Sequence, residues 1–329
     1  MDSVNTRRSG NPSAAARAAL VAAIATVCLM LLPTAGIAGG GREQMSFDTP
    51  DHAVQALIAA ARANRAQQLL KILGSGGRKL VFSGDPVADE LGRSRFVAAY
   101  DKANRIDPQG AARTVLLIGD KQWPFPIPMV KHGPTWRFDT HAGVEEILDR
   151  RIGRNELDAI EVCRAYVDAQ RDYATLVRRS DGLIEYAQHF MSGPDKRDGL
   201  YWPAAPGEPE SPMGHLVASA RAEGYPAGKG AHQHRAPYHG YFYKILKRQG
   251  EHAPDGARDY LVDGRLIGGF ALVAFPARHG DSGIMTFIVN QDGVVYQKNL
   301  GRHTEAIARQ MTEFDPDPSW STAPPGADQ

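Results

Sequence analysis

The chain has 329 residues, with 38 Lys plus Arg against 37 Asp plus Glu, 43% hydrophobic residues, 23% charged residues and two cysteines. This composition excludes a disordered chain, a collagen and a disulfide scaffold, and a prior of roughly 150 residues per domain points to two domains, each able to bury a core. The near-zero formal charge argues against nucleic acid as a partner, because neutralising phosphates needs a basic surplus or a dense basic patch.

Residues 1–38 have the layout of a secretory signal. Arg7, Arg8 and Arg17 lie ahead of an apolar run from Ala18 to Leu32, Pro33 breaks the run, and Gly36-Ile37-Ala38 offers cleavage after Ala38. The run is roughly 15 residues, short of the ~20 that span a bilayer as a helix. It is therefore read as removed, with an uncleaved N-terminal anchor as the alternative. Ser9 and Gly10 follow the arginine pair where a twin-arginine signal would be apolar, which favours the general secretory route. The expected location is periplasmic or secreted, with no membrane span after cleavage. Loss of Arg7, Arg8, Arg17 and Asp2 takes the formal charge from +1 to −1. It also removes Cys28 and leaves Cys163 with no intramolecular disulfide partner. Cys163 lies within a helical pattern, so burial as a small apolar residue is preferred to a reactive thiol.

An α+β unit is expected over residues 45–145. Thr49-Pro50 reads as an N-cap followed by proline at the first helical position, and Val54, Leu57, Ile58 and Ala61 then form one apolar face. A second helix holds Leu69, Leu70 and Leu73 and ends at Gly74; a third runs from Ser94 to Ala103. Extended segments follow at Thr114 to Ile118, Trp123 to Val130 and Trp136 to Asp139. In the middle one, Pro124, Pro126 and Pro128 alternate with Phe125, Ile127 and Met129. Since proline cannot donate to a ladder, this predicts an edge strand or an isolated ribbon. Helices first and a small antiparallel sheet second fit a curved sheet wrapped on helices, of the cystatin-like or nuclear-transport-factor-like type.

A second α+β unit is expected over residues 150–314. A long helix from Asn155 to Arg178 carries Ala159, Val162, Tyr166, Ala169, Tyr173 and Leu176 at helical spacing. A smaller helix is expected over Asp181 to Phe190, and another opens at Ser211-Pro212 and closes at Gly224. Strands follow at Tyr241 to Leu246, at Tyr260 to Val262 and, after the hairpin turn Asp263-Gly264, at Arg265 to Ile267. The segment Phe270 to Phe275 is apolar at every position, which predicts a strand covered on both faces. Ile284 to Val289 and Val294 to Lys298 form a second hairpin, a closing helix holds Ile307, Met311 and Phe314, and the Pro-rich residues 315–329 are expected to be a disordered tail.

Few motifs carry chemistry. Gly280-Asp281-Ser282-Gly283 looks like a serine-protease nucleophile segment, but no histidine segment of that type lies upstream, and the same residues suit a tight turn. His232, His234 and His239 are the densest imidazole cluster and a candidate metal site, set against exposed loop histidines as the plainer account. Gly74 to Lys79 lacks the Gly-Lys-Ser/Thr that cradles phosphate. Glu145, Glu146 and Asp149, next to Arg150, Arg151 and Arg154, read better as a salt-bridged helical face than as an acid/base pair. Tyr238, His239, Tyr241 and Tyr243 form a candidate binding surface for a sugar or peptide, against a strand's core face plus rim as the alternative.

Several segments together resemble the bacterial family of exported proteins known as domain of unknown function 2950. They are Trp123-Pro124-Phe125-Pro126-Ile127-Pro128, Trp136-Arg137-Phe138-Asp139-Thr140, Arg151-Ile152-Gly153-Arg154-Asn155-Glu156-Leu157, Pro237 to Tyr243, Gly268 to Ala274, Ser282 to Phe287 and Asn290 to Tyr296. The resemblance implies an exported envelope protein and supplies no catalytic residues. More loosely, the order from Asn155 to Gly301 is similar to the globular part of type IV pilins and pseudopilins, which implies a long helix packed on an antiparallel sheet. The expectation is thus a non-catalytic envelope protein with a binding or structural role, no cofactor, and an envelope component or protein as partner. The alternative is a periplasmic hydrolase, metal-dependent in one version, whose site gathers His215, His232, His234, His239, His252, His279 and His303.

Overall fold

A computed structural model of the chain describes residues 44–177, 181–205, 207–226 and 236–324. The leader, Cys28, His232 and His234 lie outside the described residues. The fold is α+β, built around two hydrophobic cores. No helix among the described residues is long and apolar enough to cross a membrane.

The first core is closed by helices α1 (Pro50–Arg62), α2 (Ala66–Leu73), α3 (Arg78–Val81) and α4 (Pro86–Lys102). Thr49 caps α1 as its sequence predicts, its hydroxyl accepting from the His52 N–H at 3.2 Å, and Val54, Leu57, Ile58 and Ala61 are buried. Gly74, at φ 74°, ends α2. Helix α4 begins at Pro86, well before the expected Ser94. Asp85-Pro86 repeats the Thr49-Pro50 signal, and the Asp85 carboxylate accepts from the Ala88 N–H at 3.0 Å. Only Val97 of α4 is buried, so the helix has no clean apolar stripe that would reveal its length.

These helices meet an antiparallel sheet of β1 (Asn104–Pro108), β2 (Arg113–Ile118), β3 (Trp123–Pro124), β4 (Met129–His132) and β5 (Thr135–Phe138). Its order is β1-β2-β4-β5, with β3 also paired to β2. The proline segment is an edge strand only over its first two residues, Trp123 and Pro124, which pair with β2 and with no other strand. Its other end, Met129 and Val130, pairs with β2 again; the Phe125 N–H still donates to the Leu116 carbonyl at 2.7 Å, and residues 126–128 lie outside the strands. Phe125, Ile127 and Met129 nonetheless alternate into the core. Proline removes donors, but it does not stop the flanking residues from pairing.

Helix α5 (Val144–Leu176) is continuous for 33 residues and passes through the expected boundary near residue 150. Its first turns pack near α3, and its later turns lie on the C-terminal sheet. The described residues fall within one compact unit. The helix expected over Asp181 to Phe190 is absent. Tyr186 bridges to Leu266, and β6 (His189–Met191) pairs in parallel with β7 (Gly199–Tyr201). Two tertiary ties replace the helical bonds: Gln170 holds both backbone polar groups of Ala187, at 2.8 and 2.9 Å, and Arg265 pairs with Asp181 and Glu185. This parallel ribbon also departs from the purely antiparallel second half expected by likeness to pilins.

Helix α6 (Gly214–Ala222) leads, through a loop, to β8 (Tyr241–Leu246). Short ribbons follow: β9 (Arg248–Gln249) with β10 (Arg258–Asp259), and β11 (Leu261–Val262) with β12 (Arg265–Leu266). The β11–β12 turn is Asp263-Gly264 at φ 49° and 76°, the hairpin geometry its sequence predicts. The main sheet adds β13 (Ala271–Pro276), β14 (Thr286–Asn290), β15 (Tyr296–Lys298) and β16 (Ser321–Thr322), in the antiparallel order β16-β15-β14-β13-β8. All six residues of β13 are buried, and both α5 and α7 (Thr304–Gln310) pack on it. Residues 315–324 are ordered rather than frayed. Strand β16 pairs with β15, the Ala323 N–H donates to the Val295 carbonyl at 2.8 Å, and Lys298 lies over the Trp320 ring.

Candidate functional site

The N-terminal half of α5 and helix α4 face each other across a cleft of about 720 Å³. Along α5 the lining residues are Ile147, Arg150, Arg151, Arg154, Asn155 and Asp158, and along α4 they include Ala88, Gly92, Arg95 and Ala99. Both sets recur at three- and four-residue spacing, the signature of one helical face. Leu57, Leu69, Leu73, Val81, Phe96 and Phe125 form an apolar floor, and Glu223, Tyr225 and His239 close one end.

At that end a fully buried carboxylate organises the backbone. Asp85 accepts from the Tyr225 hydroxyl and from the Gly240 N–H, both at 2.9 Å, besides capping α4. Tyr225 in turn accepts from the His239 N–H at 3.2 Å. His239 and Gly240 form a tight turn at φ 50° and 76°, closed by paired bonds between Tyr238 and Tyr241. A Cβ at Gly240 would sit 2.5 Å from Asn155 Nδ2, so the close approach of this turn to α5 requires glycine.

The turn delivers the His239 ring between two carboxylates: Nδ1 lies 3.0 Å from Asp158 and Nε2 lies 3.4 Å from Glu223. Burial acts to lower the His239 pKa, but the Asp158 hydrogen bond and the charges of Asp158, Glu223 and Asp85 outweigh it, and the pKa is raised. Glu223 Oε2 is buried without a hydrogen bond among the described residues. Tyr225 and Tyr238 stack edge-on with centroids 4.9 Å apart. Burial, with the nearby Glu223 and Asp158 charges, lifts the Tyr238 phenol to about 12, so it stays neutral.

The middle of the cleft is basic. Arg151 reaches back to the carbonyls of Lys79 and Leu80 at 2.8 and 2.6 Å, holding the last turn of α3, and Arg93 donates to the Val81 carbonyl. Burial pulls the Arg151 pKa down against the attraction of Asp89 and Asp281. Burial likewise raises the Asp89 carboxyl, opposed by its bonds from Ser83 and by Arg151 and Arg93. At the other end Trp123 lies under the Arg150 guanidinium, 5.0 Å from its centroid. Its Nε1 is buried without a partner among the described residues.

Of the aromatic and imidazole residues singled out from sequence, His239 lines the cleft and Tyr238 flanks it. Tyr241 and Tyr243 turn into the second core, where Tyr241 donates to the Met285 carbonyl at 2.9 Å and burial pushes both phenols up. The other described histidines lie elsewhere: His252 pairs with Asp315, His279 with Asn299 and His303 with Arg302, while His215 is exposed on α6. No group of three or more His, Cys, Asp or Glu side chains is arranged to hold a metal ion among the described residues. Ser282 is fully buried, and its hydroxyl closes a turn on the backbone of Arg278. Sequence reasoning missed Asp85, Asp158, Glu223 and Tyr225. The Asp85-Pro86 pair and the stripe from Ile147 to Asp158 are the signals that were there to be found.

Residues 44–323 match the family described as a protein of unknown function (DUF2950). The chain belongs to that family. No curated protein and no solved structure matches it. Within this family member, the matched span holds both cores and the whole cleft.

Proposed function

We propose that this DUF2950 protein is an exported envelope component that works by binding rather than by catalysis, and that the ligand occupies the cleft between α4 and α5. One observation carries the reading. The cleft combines an apolar floor with a few convergent polar groups, the usual make-up of a ligand site. The leader-like residues 1–38 support export. Native mass spectrometry of protein recovered from the periplasmic fraction tests both parts. A mature mass beginning after Ala38, with a retained small molecule or partner, is the expected result. An intact leader in a cytoplasmic fraction would remove the export half, and a ligand-free protein that no envelope extract loads would remove the binding half.

The competing reading is an envelope hydrolase. It is favoured by the imidazole of His239, held between Asp158 and Glu223 as an acid/base group would be. The metal-dependent version would draw on His232 and His234 as well. Less than about a tenth of an equivalent of transition metal after native purification would remove that version.

A further inference from the structure

The kind of ligand can be read from four features of the cleft. Gly92 stands in the interior of α4, where glycine costs about 1 kcal/mol relative to alanine, yet a Cβ there would meet nothing within 4 Å. The backbone itself tolerates a side chain at this position, so the missing one leaves room in the cleft. The second feature is length. The lining stripe of α5 from Ile147 to Asp158 covers about 16 Å at 1.5 Å per residue, giving an elongated rather than a round space.

The third feature is charge. Arg95 and Arg154 line the cleft, are exposed, and have no hydrogen bond or ion pair with any described residue. The acidic residues of the lining are differently placed: Asp89 is held by the Ser83 N–H and faces Arg93 and Arg151, while Asp158 and Glu223 sit with His239 at one end. The uncommitted charge is therefore positive. The fourth is the Trp123 indole, a buried donor with no acceptor among the described residues, at the end away from Glu223.

We propose that the cleft takes a single-chain amphiphile, with its acyl chain on the apolar floor and its anionic head, a carboxylate or a phosphate, at Arg95 and Arg154. The assignment rests on the binding reading above and narrows it to one ligand class. A neutral lipid would leave both arginines unmatched, and a small free anion would leave the floor bare. Glu223 repels a second anionic group at its end, so the head lies toward the arginines and Trp123.

Calorimetric titration of the purified protein tests this, using octanoate, decanoate and dodecanoate below their micellar concentrations, with decyl phosphate, decanol and inorganic phosphate alongside. One equivalent of alkanoate should bind, about fourfold tighter for each added methylene until the floor is filled. Decyl phosphate binding better than decanoate would identify a phosphate head, and the reverse a carboxylate. Changing both Arg95→Gln and Arg154→Gln should weaken the anionic ligands roughly fivefold or more and leave decanol unaffected. Gly92→Leu should abolish binding with the circular dichroism spectrum unchanged; Gly92→Met serves if the leucine variant does not fold. Affinity that is flat with chain length, decanol binding as tightly as decanoate, inorganic phosphate binding alone, or undiminished binding by a folded Gly92 variant would each overturn the proposal. A retained molecule without an acyl chain, found by native mass spectrometry, would overturn it while leaving the binding reading intact.

Discussion

The Tyr225 hydroxyl donates to the buried carboxylate of Asp85 at 2.9 Å, across 140 positions of the chain. The same carboxylate accepts from the Gly240 N–H, so one side chain ties together the start of α4, the loop after α6 and the turn that carries His239. Burial and the Asp85 charge raise the Tyr225 pKa, which keeps the phenol protonated, and so a donor, near neutral pH.

Tyr225→Phe keeps the ring and its stacking on Tyr238 but removes one donor from Asp85 and the acceptor of the His239 N–H. The expected loss is about 1–3 kcal/mol, read as a lower urea midpoint with an unchanged m-value. An unaltered midpoint would mean that the three segments are held by other contacts.

His239 has a folded pKa above its ordinary 6.5, because the Asp158 bond and the surrounding carboxylates outweigh its burial. A raised pKa contributes stability that is fully present below 6.5 and is lost as pH rises through the folded value. Urea midpoints of the wild type and of His239→Gln, compared from about pH 5 to 9, should therefore differ most on the acid side and converge on the alkaline side. A difference that grows with pH would contradict the assigned partners.

Gly92→Ala should stabilise the protein by about 0.5–1 kcal/mol, since the new methyl meets open space and α4 gains the better helix former. Thermal unfolding checks it. A lower melting temperature would show that the position is tighter than the cleft implies.

Cys163 is fully buried, and desolvation lifts its thiol to about 12. It should resist a thiolate-seeking reagent at about pH 8 in the native state and react stoichiometrically after unfolding in denaturant. Rapid labelling of folded protein would place it at the surface.

Much of the fold is legible in the sequence because the signals involved are local. Thr49-Pro50 starts a helix, Asp263-Gly264 makes a hairpin, and Phe270 to Phe275 is too apolar to face water. These choices depend on neighbours within a few residues, and on water as the alternative environment. The failures follow the same logic. The helix expected over Asp181 to Phe190 gives way because Gln170 and Arg265, both distant in sequence, supply partners that a helix would otherwise provide. The Pro-rich tail is ordered through residue 324 because a strand edge and Trp320 receive it.

The site divides in the same way. The sequence alone determined the dense aromatic and imidazole segment at Tyr238 to Tyr243 and the family, while the need for glycine at position 240 came from the close approach of its turn to α5. Tertiary structure alone decided that His239 faces a cleft while Tyr241 and Tyr243 face a core, and that Asp158 and Glu223 meet at one imidazole. Arg150, Arg151 and Arg154 have the spacing of any solvated helical face, and nothing in that spacing tells water from a cleft. Only the placement of α4 across the cleft from α5 makes the distinction, because an interaction between residues tens of positions apart leaves no period in the chain.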